Sequence, residues 1–317
     1  MSNVLSGNGP EDVIAIACSD LHFCHKKPVC RTPEPDWYTA MSRSFSQLKL
    51  LSEFFNGKVP TLIAGDVFDR WNAPAELINF AMAVLPENCW SIPGQHDLPN
   101  HNYEDIQRSA YWTLVSAGVL NNLLPGKRTA VGHKMFVTGF PWNYEIHPAT
   151  APRPPSKGPL SVAICHAYIH TKSTGYHGAD KSTRVSGFKD CLRNYDAVFF
   201  GDNHKGFKSG RILNCGGFLR RKIDEVLARP CVGLLLGDGS IVRCYLDTTD
   251  DLFLEKSEEI ELIEKEVDMT GLAEAIQSLG QDSLSFVSLI TNYLNRNGVS
   301  TSVRECVMEA VSSGTDL

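Results

Sequence analysis

The sequence predicts an α/β protein built as two stacked mixed β-sheets flanked by helices, in four layers α/β/β/α, with a small helical C-terminal extension. Three observations carry this. Five apolar runs, at 13–18, 61–64, 89–92, 161–164 and 197–200, are rich in Val, Ile and Phe and bounded by Gly or polar residues, as buried strands are. Strands and helical patterns alternate over residues 13–123, the plan of a parallel sheet. After Gly201 the strands shorten, and Gly237-Asp238-Gly239 reads as a hairpin turn between two of them.

Taken in order, residues 38–55 predict a helix, with Met41, Phe45, Leu48, Leu51 and Phe55 on one face. Pro74 suits a first helical turn, and that helix runs to about residue 85. Another helix is expected at about 104–117. Residues 130–142 and 160–166 read as strands joined by a loop that its five prolines (Pro148, Pro152, Pro154, Pro155 and Pro159) keep from being helical. Further strands are expected near 211–215, 231–236 and 240–246. Helical patterns follow at about 271–278, 283–296 and 300–312. Residues 1–250 are the expected catalytic domain, and 251–317 an acidic linker with the helical extension.

The composition excludes several classes. The chain has 317 residues, 43% hydrophobic and 21% charged, enough to bury a full core. No apolar stretch approaches the roughly 20 residues that span a bilayer, and the polar residues 1–12 hold no signal-peptide core. A cytoplasmic, membrane-free protein is the expectation. The 10 Cys form no C-x-x-C pair and are expected as reduced, buried thiols. The net charge of −6 is unevenly spread. Residues 247–268 hold ten acidic side chains against Lys256 and Lys265, a segment charge of −8 that leaves +2 for the rest. Lys205, Lys208, Arg211, Arg220, Arg221 and Lys222 lie close together with no acid among them. They make either a solvated hairpin face or a contact for a phosphate backbone.

Each of the five strands runs into a block of metal-ligand residues. These are Asp20-Leu21-His22, Gly65-Asp66-Val67-Phe68-Asp69, Gly94-Gln95-His96-Asp97, Cys165-His166 and Gly201-Asp202-Asn203-His204. Open sheets hold their ligands at the carboxyl ends of the strands. Carboxylates, imidazoles and an amide gathered at that rim form a cage for two divalent metals, whose chemistry is hydrolysis, most often at phosphorus. Singly, each residue has an ordinary alternative: His166 as a hydrogen-bonding core residue, Asp66 as a helix cap. The joint order of five blocks is what lifts the metal reading. Trp37, Tyr38, Tyr103, Trp112 and Trp142 could stack bases, but core packing is expected for most. His170 and His177, in the loop after His166, could touch a substrate.

The order D-x-H, G-D-x-x-D, G-N-H-D, H, G-H-x-H resembles the calcineurin-like metallophosphoesterase superfamily over residues 13 to about 223. The wording Ser19-Asp20-Leu21-His22, Leu62-Ile63-Ala64-Gly65-Asp66-Val67-Phe68-Asp69 and Gly201-Asp202-Asn203-His204-Lys205 looks most like its SbcD nuclease branch, in short phage-encoded forms. The resemblance implies that Asp20, His22 and His204 hold one metal, that Asp66 bridges both, and that Gln95, His166 and Asp202 complete the second. It implies that His96 serves the leaving oxygen or the transition state, that Asp97 orients the His96 ring, and that Asp69 supports a turn or a ligand His. Mn²⁺ is the expected metal, with Mg²⁺, Fe and Zn²⁺ as alternatives. Two positions depart from the family pattern: Gln95 replaces its Asn, and Asp202 the first His of G-H-x-H. The second exchange gives an anion for a neutral ligand and suits harder cations.

A metal-dependent nuclease in DNA repair, recombination or phage DNA processing is the leading expectation, with Lys205, Lys208, Arg211 and Arg220 on the DNA backbone. The alternatives are a phosphatase or phosphodiesterase for small or protein substrates, and a non-catalytic scaffold. The SbcD likeness implies an SbcC-like, SMC-type ATPase as partner and leaves room for a homodimer.

Overall fold

In a computed structural model, residues 12–55, 59–149, 158–176 and 178–255 are described. They form one compact unit that runs to Glu255.

The first sheet is built on the apolar runs that open the chain. β1 (Val13–Cys18), β2 (Thr61–Ala64), β3 (Cys89–Ile92) and β4 (Leu120–Asn122) lie parallel in that order. β11 (Cys231–Leu236) pairs antiparallel with β1, and β12 (Ile241–Tyr245) closes the edge as its hairpin partner. In the second sheet β6 (Met135–Phe140), β7 (Leu160–His166), β8 (Ala197–Gly201) and β10 (Ile212–Asn214) are parallel. β5 (Arg128–Val131) and β9 (Phe207–Ser209) are its antiparallel edges.

Both sheets bury their facing sides against each other. Ala15, Ala17, Leu62, Ala64 and Ile92 share that layer with Val162, Ile164, Phe199 and Leu213. Burial on both faces is why these strands read as continuous apolar runs and do not alternate. The outer face of the first sheet is covered by α1 (Trp37–Phe54), α2 (Ala75–Val84) and α3 (Ala110–Ser116) through Met41, Phe45, Leu48, Leu77, Ala81 and Leu114. α1 starts at Asp36, whose side chain accepts from the Thr39 N–H, an N-cap that satisfies one of the helix's orphan donors. On the outer face of the second sheet, Ala163, Cys165, Val198 and Phe200 are covered by Ile169, Leu192 and Tyr195. The fourth layer there consists of loops and 3-10 turns at Lys181–Thr183 and Val185–Phe188.

The structure corrects the helix expected at 104–117. A 3-10 segment, Tyr103–Arg108, stops at Ser109, and α3 starts afresh because the Ser109 hydroxyl caps the Trp112 N–H. The long strand expected at 130–142 is the β5–β6 hairpin, turned at Gly132 with φ +63°. The turn at 237–239 joins β11 to β12 as expected, with Gly239 at φ +89°. Trp37 is buried in the helical layer, and Tyr38, Tyr103, Trp112 and Trp142 pack at its margin.

None of the nine cysteines among the described residues is in a disulfide. No helix among those residues is long and apolar enough to cross a membrane. The segment that leads to Glu255 is tied into the unit: Asp251 pairs with Arg31, Arg43 and Arg220, and the Leu254 N–H donates to the Cys30 carbonyl. The helices expected at 271–312, on which docking of an ATPase would rest, lie outside the described residues, as does His177.

Candidate metal centre

The five ligand blocks meet at the carboxyl ends of β1, β2, β3, β7 and β8, because parallel strands all deliver their next residues to the same rim. The loops after β1 and β2 are laced together: the Asp20 N–H donates to the Gly65 carbonyl, His22 to Asp66, and Phe23 to Val67. Four of the expected ligands sit in left-handed backbone, Asp20 at φ 51°, His22 at 46°, Asp66 at 50° and Asp202 at 84°. Such non-glycine conformations cost about 1 kcal/mol or more each and gather at functional sites. Gly65, at φ +86°, also has no room for a side chain, since a Cβ would lie 2.1 Å from His166 Nδ1.

Asp66 is the hub. Its Oδ2 is buried and accepts no hydrogen bond, yet the Nε2 atoms of His166, His22 and His96 stand 3.4, 3.7 and 3.9 Å away. Its Oδ1 accepts from the His96 backbone N–H at 3.0 Å. Asp20 is held likewise: Oδ1 accepts from the Asp202 N–H at 2.9 Å, while Oδ2 is buried without a hydrogen bond. His22 Nε2 faces His204 Nε2 at 3.0 Å. On the other side, the Gln95 amide links His166 Nε2, 2.6 Å from its Oε1, to Asp202 Oδ1, 3.0 Å from its Nε2. Asp20, His22 and His204 thus form one group beside Asp66, and His166, Gln95 and Asp202 form a second, with Asp20 adjoining both.

The donor set fits divalent cations. Asp20, His22 and His204 offer ligand atoms within 4.8 Å of one another; so do His22, Asp66 and His96, and Asp20, Asp66 and His166. Two buried carboxylate oxygens without hydrogen bonds are costly unless positive charge compensates them. The titration directions agree. Burial pushes His166 down, but the carboxylates around it, Asp66 foremost with Asp20 and Asp202, together outweigh it and lift the imidazole to about 10. A site that holds a proton so tightly has an excess of negative charge, which a cation binding the same nitrogen would satisfy in the proton's place. Burial, then the Arg221 charge and the neighbouring imidazoles, push His22 well below its usual value, leaving it neutral as a ligand must be.

Supporting residues fix these rings. His166 Nδ1 lies 2.7 Å from the Ala64 carbonyl, which places its proton there and turns the Nε2 lone pair inward. Glu225 does the same for His204, with Oε1 3.2 Å from Nδ1. Its Oε2 in turn accepts from the backbone N–H groups of Arg221 and Lys222. Glu225 escaped the sequence reading because it lies 21 residues beyond His204 in a short 3-10 turn. Glu225→Ala is expected to weaken metal retention by about 10–100-fold, and Glu225→Gln, which keeps an oxygen opposite Nδ1, to recover most of it. Competition with a chelator measures both, and parent-like retention by Glu225→Ala would contradict the role. Asp69 Oδ1 stands 3.8 Å from His22 Nδ1 and is clamped by Arg221.

Two expectations are corrected. Asp97 does not orient the His96 ring. Its carboxylate is wholly buried and accepts from the backbone N–H groups of Val67, Phe68 and Gly94 at 2.9–3.0 Å. It is a brace for the loops that carry Asp66 and Gln95. Burial, reinforced by the Asp66 charge, pushes it up to about 7 against those three hydrogen bonds. The basic run is not one phosphate-binding face. Arg220, 8% exposed, is held by Asp251 and by the carbonyls of Val226 and Thr248. Lys208 lies on the edge strand β9 and donates to the Ile241 carbonyl, and Arg211 precedes β10, at the end of the sheet away from the ligands, where it donates to Leu192. Lys205 stays beside the centre. His170 is buried, with its ring nitrogens near the Thr171 and Asp180 carbonyls.

An open cavity of about 710 Å³ starts at Gln95, His96, Asp202 and His204 and extends to Arg229, Arg243 and Tyr245. A second of about 400 Å³ also reaches Gln95 and His96 and is lined by Arg70 and His101. The His96 ring, 43% exposed, is therefore reachable by substrate while most ligands are buried.

Comparison with known proteins follows this geometry. Three solved structures illustrate the likeness. TT1561 of Thermus thermophilus is 12% identical, covering 74% of this chain and 98% of that one, with a TM-score of 0.42. The calcineurin-like phosphoesterase YfkN from Bacillus subtilis is 11% identical over 76% and 87%, at 0.41. A metallophosphoesterase from Sphaerobacter thermophilus is 16% identical over 80% and 92%, at 0.31. No curated protein matches. The calcineurin-like phosphoesterase family model matches residues 15–206, a span that takes in every expected ligand from Asp20 to His204, and the chain belongs to that family.

Proposed function

We propose that this phosphoesterase is a dinuclear-metal phosphodiesterase that cuts a nucleic-acid backbone, a DNA nuclease of the SbcD type. The observation that carries the reading is the large cavity. It opens from the metal centre onto a wall that includes Lys205, Lys222, Arg229 and Arg243, cations suited to the phosphates that flank a scissile bond. A small monoester would need no such extension.

When bound, the two cations supply Lewis acidity and an activated water. The residues of this chain do the rest. Asp66, beside both ligand groups, supplies the anionic oxygen they can share. His96 presents its ring to both cavities, where it can hold a proton for the departing oxygen. The carboxylate Asp202, in place of a neutral imidazole, supports Mn²⁺ or Mg²⁺ over Zn²⁺.

The test is purified protein with Mn²⁺, offered labelled linear duplex, labelled single strands and a chromogenic phosphodiester. Cleavage of DNA is expected. Turnover of the chromogenic diester alone would move the protein to small-substrate phosphodiesterases, and no turnover of any of the three would favour a scaffold.

A further inference from the structure

The large cavity carries more than positive charge. Its walls come from different sheets and both present tyrosines. From the second sheet, the loop after β7 brings Tyr168 and Tyr176, with ring centroids 5.2 Å apart and the Tyr176 backbone N–H donating to the Tyr168 hydroxyl. Tyr176 is 60% exposed. From the first sheet, the edge strand β12 presents Arg243 and Tyr245 on the side that also carries the inward-facing Ile241. Tyr245 pairs with Cys231 in the ladder, and Arg229 lies two residues before that partner. The Arg229 guanidinium carbon stands 4.1 Å from the Tyr245 ring centroid, and that of Arg243 stands 5.7 Å away. Tyr245 nonetheless keeps 40% of its surface exposed.

A half-exposed ring on a sheet edge, in a cavity that leads to a metal centre, belongs to none of the hydrophobic clusters of the described residues. Cation–π contact lays the Arg229 guanidinium over the ring, so that its plane and its N–H donors extend the aromatic surface. A guanidinium stacked on a half-exposed ring matches one nucleotide unit: a base on the exposed part of this stack and its phosphates on the guanidinium N–H donors. In a duplex the bases are stacked inside and cannot reach such a face. The metal ligands are recessed as well, with Asp66 and His166 almost wholly buried, so the scissile phosphate must be delivered on a slender chain.

We propose that Tyr245, with Arg229 and Arg243, forms a nucleotide subsite that selects a single strand and leads it across the metal centre. This rests on the nucleic-acid reading of that centre. The Tyr168–Tyr176 pair forms the facing wall of the same path.

The test is fluorescence anisotropy with an end-labelled oligothymidylate and a labelled blunt hairpin duplex, Ca²⁺ replacing Mn²⁺ to keep the strands intact. Tyr245→Ala and Tyr245→Leu, the second keeping bulk on the edge strand, are expected to weaken single-strand binding by about 5–150-fold, the range for one base–aromatic stack. The hairpin is expected to lose far less, and Tyr245→Phe to bind like the parent. Replacing Arg229 and Arg243 together by Gln is expected to flatten the salt dependence by about one to two units. Metal content and thermal midpoint, measured alongside, show that each variant is folded. If the folded Leu variant binds the oligothymidylate as the parent does, or loses the hairpin to the same degree, the subsite is refuted. If the parent itself neither binds nor cuts nucleic acid, the reading of the whole centre falls, and the subsite with it.

Discussion

Asp66→Asn is expected to lower phosphodiester turnover by a factor on the order of 10³ or more and to strip the protein of tightly held metal. Metal ions contribute several kcal/mol to such transition states, and each step of about 1.4 kcal/mol is tenfold in rate. Asn can still accept the His96 backbone hydrogen bond at Oδ1. It offers the three imidazoles a neutral amide where they now face an anionic oxygen at 3.4–3.9 Å. The lost Oδ2 accepts no hydrogen bond, but its charge helps hold the proton on the buried His166, so the metal-free fold loses some stability as well. Thermal midpoints should therefore fall below the parent's in chelator and fall further behind it when metal is added, since only the parent gains stability from binding. A mutant that holds metal and melts like the parent under both conditions would refute the bridging role.

The second large effect involves no ligand at all. Gly94→Ala is expected to destroy the centre by volume alone. The backbone of Gly94 is in ordinary extended geometry, so no strain is added. A Cβ there would lie 2.1 Å from Asp66 Oδ1 and 2.5 Å from the Asp66 backbone nitrogen. The loop cannot yield cheaply, because the Gly94 N–H is one of the three that Asp97 holds. Overpacking of a fixed site costs about 1–3 kcal/mol or more, which for a unit of this size lowers the midpoint by roughly 2–12 °C. Metal content should fall with it. Scanning calorimetry with elemental analysis checks both, and an unchanged midpoint with parent metal content would show that the two loops do not meet this closely.

These effects mark what the sequence could and could not reveal. The strands were legible because burial on both faces leaves long apolar runs. The ligand blocks were legible because each follows a strand directly, so chain order alone placed Asp20, Asp66, Gln95, His166 and Asp202 at one rim. Roles that depend on tertiary distance were not. Asp97 sits beside His96 in sequence, but its neighbours in space are three backbone N–H groups, two of them from the β2 loop. Arg220 and Lys205 belong to one basic run, yet the first is locked to Asp251 while the second faces the cavity. Charge patterning cannot tell a buried ion pair from a free cation. Tyr245 and Arg229 carried no motif, and only the pairing of β11 with β12 puts them side by side.

The central claim is that the two ligand groups around Asp66 hold two cations at once. Metal stoichiometry tests it most directly: elemental analysis of the purified chain after Mn²⁺ loading and removal of weakly bound metal, repeated on His22→Ala and His166→Ala. Two metals per chain are expected in the parent, with retention weakened first at the His22–His204 group in one variant and at the Gln95–Asp202 group in the other. One metal or none in the parent, or two held undiminished in both variants, would contradict the account.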